Sequence, residues 1–116
     1  MRRAEVYDAR LDRVEGSEQA SFRPVVIVSR DTLNSVRSTV VAIPCTSHRP
    51  GRRIYATHVL VHAPEGGLTA DSVVLCEQIR ILAKSRLARR RGALSARTLA
   101  SIEQALLITL DLPGQT

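Results

Sequence analysis

Aromatic residues are almost missing from this chain. Tyr7, Phe22 and Tyr55 make up 3% of its 116 residues, and tryptophan is absent. That disfavours single-strand binders that stack successive bases on several rings. Cysteine is as scarce. Cys45 and Cys76 show no Cys-x-x-Cys spacing and are too few for a disulfide scaffold, so packed thiols and a cytosolic location are expected. The longest apolar runs, at 25–28 and 106–110, fall far short of the ~20 residues of a membrane span. Met1-Arg2-Arg3-Ala4-Glu5 leads into charge rather than an apolar signal core, which argues against secretion by that route. The chain shows no internal repeat, low-complexity tract, phosphate-cradling loop or dinucleotide fingerprint.

What is present is enough for a core, with 44% hydrophobic residues in a length that suits one domain over 1–116. The charge is basic, with 17 Lys+Arg against 11 Asp+Glu, and Lys84 is the only lysine. Arginine presents a planar fork of donors matched to phosphate and carboxylate, so the bias favours an anionic partner. Its densest cluster is Arg86, Arg89, Arg90, Arg91 and Arg97, which on residues alone reads as a solvated face. Arg23 is placed differently, against Pro24 and the apolar run Val25-Val26-Ile27-Val28. Proline restricts the residue before it to extended backbone, so this cation is held at the mouth of a rigid strand.

Periodicity predicts strands over 5–11, 24–29, 39–45 and 56–62, and one long strand over 72–82. Asp31 to Asn34 suits a turn or short helix with Asp31 as N-cap, and 85–91 fits either a short helix or a strand. Residues 64–67 read as a turn. A closing helix is predicted from Ser95 as N-cap, with Leu99, Ile102, Leu106 and Leu110 on one stripe and Pro113-Gly114 after it. The expected architecture is mainly β with a C-terminal helix, a small antiparallel sheet twisted into a barrel. His58 and His62 stand four residues apart on one strand, about 13 Å between Cα atoms, too far to chelate one ion alone. His48 reads as an exposed loop histidine, and no metal or cofactor site emerges.

Several segments occur together in an ordered series. They are Gly16-Ser17-Glu18-Gln19 with Arg23-Pro24-Val25-Val26, then Ile43-Pro44-Cys45-Thr46-Ser47 and Thr57-His58-Val59. Gly66-Gly67-Leu68, Asp71-Ser72-Val73, Glu77-Gln78-Ile79-Arg80 and Lys84-Ser85-Arg86-Leu87 follow. This series resembles the MazF/PemK family of toxin endoribonucleases across nearly the whole chain. Ala4 and Ala83 depart from the glycine and aspartate that many members carry there. The resemblance implies the SH3-like fold of the MazF/PemK/CcdB toxin type and a cytoplasmic homodimer. It further implies metal-independent cleavage of single-stranded RNA, sequence-selective and directed at mRNA, leaving a 2′,3′-cyclic phosphate and a 5′-hydroxyl. The partner it implies is a cognate antitoxin with an acidic, disordered C-terminal segment.

Such cleavage needs attack by the 2′-hydroxyl, a stabilised phosphorane and a protonated leaving oxygen. On residues alone, Arg23 is an ordinary strand-end arginine and Thr46 an ordinary turn threonine. The resemblance makes Arg23 the phosphorane-stabilising group and a proton donor, and makes Thr46 a phosphate ligand where a strand meets its loop. For the general base it offers Glu77, with Glu18 as rival. Ser17, Glu18, Gln19, Ser47, Gln78 and Arg80 are its RNA contacts. Two other readings stay open: a gyrase poison on the same fold, and a module that holds RNA without cutting it.

Overall fold

The computed structural model describes residues 1–11 and 21–114. Seven strands form one antiparallel system: β1 (Glu5–Leu11), β2 (Ser21–Ile27), β3 (Thr39–Ser47), β4 (His58–Val61), β5 (Ser72–Leu75), β6 (Arg80–Ala83) and β7 (Leu87–Ala93). Two helices join them, α1 (Asp31–Val36) and α2 (Ala96–Leu110). The order is β4-β5-β3-β2-β1-β7, with β6 also paired to β3, so the sheet twists without closing on itself. The predicted mainly β architecture with a closing helix is what forms.

β-branched residues explain the centre of the sheet. Val25, Val26 and Ile27 of β2 are almost wholly buried, which requires cover on both faces of the strand. Alternation sends them to two cores. Val25 and Ile27 join Ala9, Val40, Ala42 and Leu82. Val26 joins Val6, Ile43, Cys45, Val74 and the α2 residues Ile102 and Ala105. Ser95 caps α2 as predicted, its hydroxyl accepting from the Thr98 N–H, and Asp111 ends the helix in the left-handed region. Leu99 and Leu106 pack at the margin of this core, whereas Leu110 lies 51% exposed beyond it. Cys45 and Cys76 are free and buried, and burial pushes each thiol up to about 12.

Other predicted boundaries move for identifiable reasons. Asp31 is the first residue of α1 rather than its cap, which is Arg30. The Asp31 carboxylate instead accepts the Arg3 N–H from the neighbouring segment. The ambiguous stretch 85–91 is strand β7, preceded by a single turn at Lys84–Arg86. Around Gly66-Gly67 a short turn lies so close to β7 that a Cβ on Gly67 would stand 2.0 Å from the Arg91 carbonyl oxygen. Gly67 also has φ +72, so only glycine fits there without moving the strand.

The largest difference concerns 72–82. Instead of one strand, β5 and β6 flank a 3₁₀ turn at Cys76–Gln78. Both pair with β3, β6 along Thr39 to Ala42 and β5 along Cys45 to Ser47. The turn falls opposite the point where β3 passes from one partner to the other. Residues 73–76 form one continuous apolar run and apolar residues return at 79, 81 and 82, so the polar pair Glu77-Gln78 is the one mark the break leaves in the pattern.

Candidate functional site

β2 and β3 part company at a pair of prolines. Their register runs Ile27↔Ala42, Val26↔Ile43 and Val25↔Pro44, and ends there. Neither Pro24 nor Pro44 has an N–H with which to carry the ladder on. Past this point β2 stays with β1, Arg23 lying opposite Ala9. β3 goes instead with β5, Thr46 opposite Val73. The two strands open like a fork, with Arg23 on one prong and Thr46 on the other.

A groove of about 580 Å³ starts in this fork. Arg23, Pro44, Thr46 and Ser47 line its root, and His48, Arg52, Arg53 and Tyr55 line one wall. His58, Gln78 and Arg80 complete it. Among the described residues no aspartate or glutamate lines the groove. Arg23 is exposed and forms no ion pair with a described carboxylate. Thr46 is half-buried inside β3 rather than beyond its end, so its backbone is held by the ladder with β5.

The expected site residues fare differently. Arg23, Thr46, Ser47, Gln78 and Arg80 come together around the groove, although they are scattered over 23–80 in sequence. The 3₁₀ turn is what brings Gln78 and Arg80 to the wall. Ser17, Glu18 and Gln19 lie outside the described residues. Glu77 is not among the wall residues. It sits on the turn behind His58, whose Nε2 is 2.7 Å from the carboxylate. Burial pushes the Glu77 carboxyl up, but the His58 hydrogen bond, its own backbone N–H and Thr57 together hold it below the usual carboxylate range.

His58 is the residue that sequence reasoning missed. It occupies the groove wall and joins it to Glu77, while its Nδ1 accepts a long 3.4 Å hydrogen bond from the Tyr55 N–H. The only hint in the sequence is its place in Thr57-His58-Val59, because Glu77 is nineteen residues away. His48 is half-buried rather than exposed, and its enclosed Nδ1 has no hydrogen-bond partner among the described residues. His62 pairs with Asp71, not with His58. Among the described residues no group of three or more His, Cys, Asp or Glu is placed to hold a metal.

Such an arrangement can grip a polyanion. Exposed guanidinium groups and a hydroxyl face a cleft that no described carboxylate lines, and an imidazole in its wall is backed by a carboxylate. Several known proteins are similar to this chain over most of its length. Residues 2–110 match the model of the PemK-like, MazF-like toxins of type II toxin–antitoxin systems. Endoribonuclease MazF of Staphylococcus saprophyticus is 41% identical over 112 residues, covering 97% of this chain and 92% of that protein. The solved Mycobacterium tuberculosis toxin MazF-mt6 has a TM-score of 0.77 at 29% identity, over 93% of this chain and 97% of its own. An endoribonuclease in complex with its cognate antitoxin, from a mycobacterial species, gives 0.78 at 28% identity, over 97% of each chain.

Proposed function

Since this chain belongs to the PemK-like, MazF-like family of toxins of type II toxin–antitoxin systems, we propose that it is an endoribonuclease toxin acting without a metal on single-stranded RNA, mRNA in particular, in the cytoplasm. The observation that carries this reading is the groove itself. Arg23, Arg52, Arg53 and Arg80 face it together with Thr46, and no described carboxylate lines it to compete with phosphate.

In the proposed reaction the 2′-oxygen forms a bond to the adjacent phosphorus and the bond from phosphorus to the 5′-oxygen breaks. A 2′,3′-cyclic phosphate and a 5′-hydroxyl result. Arg23 and Thr46 bind the non-bridging oxygens, whose charge grows in the phosphorane. Glu77 accepts the hydrogen bond from the His58 Nε2–H and so fixes the tautomer whose Nδ1 carries no proton. Nδ1 exchanges its long bond from the Tyr55 N–H for the 2′-hydroxyl, takes that proton and later releases it to solvent. The leaving 5′-alkoxide is a stronger base than guanidine, so Arg23 can supply its proton and regain one from solvent. Glu77 thus acts through His58, and Arg23 never has to serve as the base. Ser47, Gln78 and Arg80 would hold neighbouring nucleotides and make cleavage sequence-selective. No described helix is long and apolar enough to cross a membrane.

The mycobacterial complex supports a cognate antitoxin as the silencing partner. An acidic, disordered C-terminal segment of that antitoxin would suit a groove walled by arginine. A homodimer is proposed as well, since Phe22 and Ile81 stand 61% and 69% exposed. The test is incubation of the purified protein with a long single-stranded RNA in EDTA, beside Arg23→Ala, with mapping of the cut ends. Discrete cuts ending in cyclic phosphate, lost in the variant, are expected. Intact RNA from the folded wild-type protein would overturn the reading, and gyrase inhibition by that same protein would replace it.

A further inference from the structure

The groove wall carries a feature that phosphate binding leaves unused. Tyr55, one of very few aromatics in the chain, is 53% exposed on the loop between β3 and β4 and lines the groove. An exposed ring usually wanders, but this one is held from two directions. Its plane stands at 88° to the His58 imidazole with centroids 5.3 Å apart. The Arg53 guanidinium lies over its face at 4.9 Å from the centroid. His58 is fixed in turn by Glu77.

A flat, cationic, partly exposed surface beside a phosphate-gripping fork suits one kind of ligand group, an unpaired base. Guanidinium planes and aromatic rings are the two side-chain surfaces on which RNA-binding proteins stack single-stranded bases. We propose that the Arg53–Tyr55 pair is a base-stacking subsite, which takes one nucleobase of the RNA next to the phosphate held at Arg23 and Thr46. The subsite rests on the endoribonuclease reading and adds to it where a base, rather than a phosphate, is held. Because stacking engages the π-face that every base has, it contributes affinity at one nucleotide position and tolerates any base there. Sequence choice is left to polar groups such as Gln78 and Arg80.

The test uses single-turnover cleavage and direct binding of a fluorescently labelled single-stranded RNA. Wild type is compared with Tyr55→Ala, Tyr55→Phe and Arg53→Ala, all checked for an unchanged thermal midpoint. Tyr55→Ala should weaken binding roughly 5- to 150-fold, the span expected from loss of one base–aromatic stack. The defect should be larger in the binding constant than in the cleavage rate at saturating RNA, and Tyr55→Phe, which keeps the ring, should bind like wild type. An RNA series with one abasic ribose at a time should show a single position at which wild type loses affinity and Tyr55→Ala loses no more. Equal affinity of Tyr55→Ala and wild type would overturn the subsite. So would a Tyr55→Ala defect spread evenly over all abasic positions. Should the wild type bind RNA without cutting it, the endoribonuclease reading fails, and the binding series still decides the subsite.

Discussion

Arginine does opposite work in two parts of this molecule. On β7, Arg91 reaches Asp8 at 3.0 Å and also donates to the Gly67 carbonyl and Thr69. Its neighbours Arg89 and Arg90 pair with Asp8 and Glu5 of β1. At the groove, Arg23, Arg52 and Arg53 line a surface with no described carboxylate. The densest run of positive charge in the sequence is therefore largely neutralised by the adjacent strand, while Arg23 and the neighbouring Arg52 and Arg53 are exposed at the groove. Charge density along the chain says little about where an anion will bind, because pairing across a sheet depends on register.

Exchanging the two kinds of arginine for alanine breaks this comparison most sharply. Arg23→Ala should lower the cleavage rate by about 10³-fold, as expected for loss of a donor aimed at developing charge, with no change in thermal midpoint. Arg91→Ala should leave the rate of the folded protein intact but cost on the order of 3 kcal/mol in denaturant unfolding, because Asp8 is left half-buried without its main partner. If Arg91→Ala destroys cleavage at unchanged stability, the division of labour is wrong.

A second contrast lies inside the groove, between its bare wall and the carboxylate behind it. His58→Ala should reduce the rate about 10²-fold or more, the usual contribution of a general base. Glu77→Gln keeps a hydrogen-bond acceptor for Nε2 but removes the charge. It should reduce the rate about tenfold, since the imidazole loses the charged acceptor that orients it. A Glu77 with no part in the reaction would leave the rate of the folded protein unchanged.

Salt sharpens the comparison further. With roughly three phosphates neutralised, RNA affinity should fall about 20-fold between 0.05 and 0.2 M salt, while the thermal midpoint barely moves. The smallest effect expected is on acid stability. Burial pushes the Glu5 carboxyl up, yet hydrogen bonds from Arg90 and the Arg2 N–H outweigh it and hold Glu5 below the usual range. Its proton is thus bound more tightly in the unfolded chain than in the folded one. The contribution is complete above about pH 4.5 and is lost as pH falls through the lower folded value. Glu5→Gln should therefore lower the thermal midpoint by a few degrees at pH 7 and flatten its decline between about pH 5 and 3. An unchanged slope would place the acid sensitivity elsewhere.

Much of this was legible in the residues. The run Val25-Val26-Ile27 announced a doubly covered strand, and Ser95 with the stripe through Ile102 announced the closing helix. Arg23 stood out because a proline and a buried strand fix its backbone. The turn at Cys76–Gln78 was not read from the residues, since its one mark, the polar pair Glu77-Gln78 between apolar stretches, also suits a half-exposed strand. The fork could not be read either, although both of its prolines are in plain view. Pro24 and Pro44 mark a divergence only once β2 and β3 are known to be neighbours.

By itself the sequence determined most of the strand segments and the closing helix, and which family the chain resembles. Those properties are encoded in local propensity, periodicity and ordered motifs, each readable within a few residues. The tertiary structure alone decided which arginines pair with described carboxylates and which line the groove. It also set Glu77 behind His58 and folded Tyr55 and Arg53 onto the groove wall. Electrostatic and hydrogen-bonding partners act over a few ångströms in space. The pairs that matter here are separated by nineteen residues for His58 and Glu77, and by 83 for Asp8 and Arg91. Only the register of the folded sheet brings them within reach.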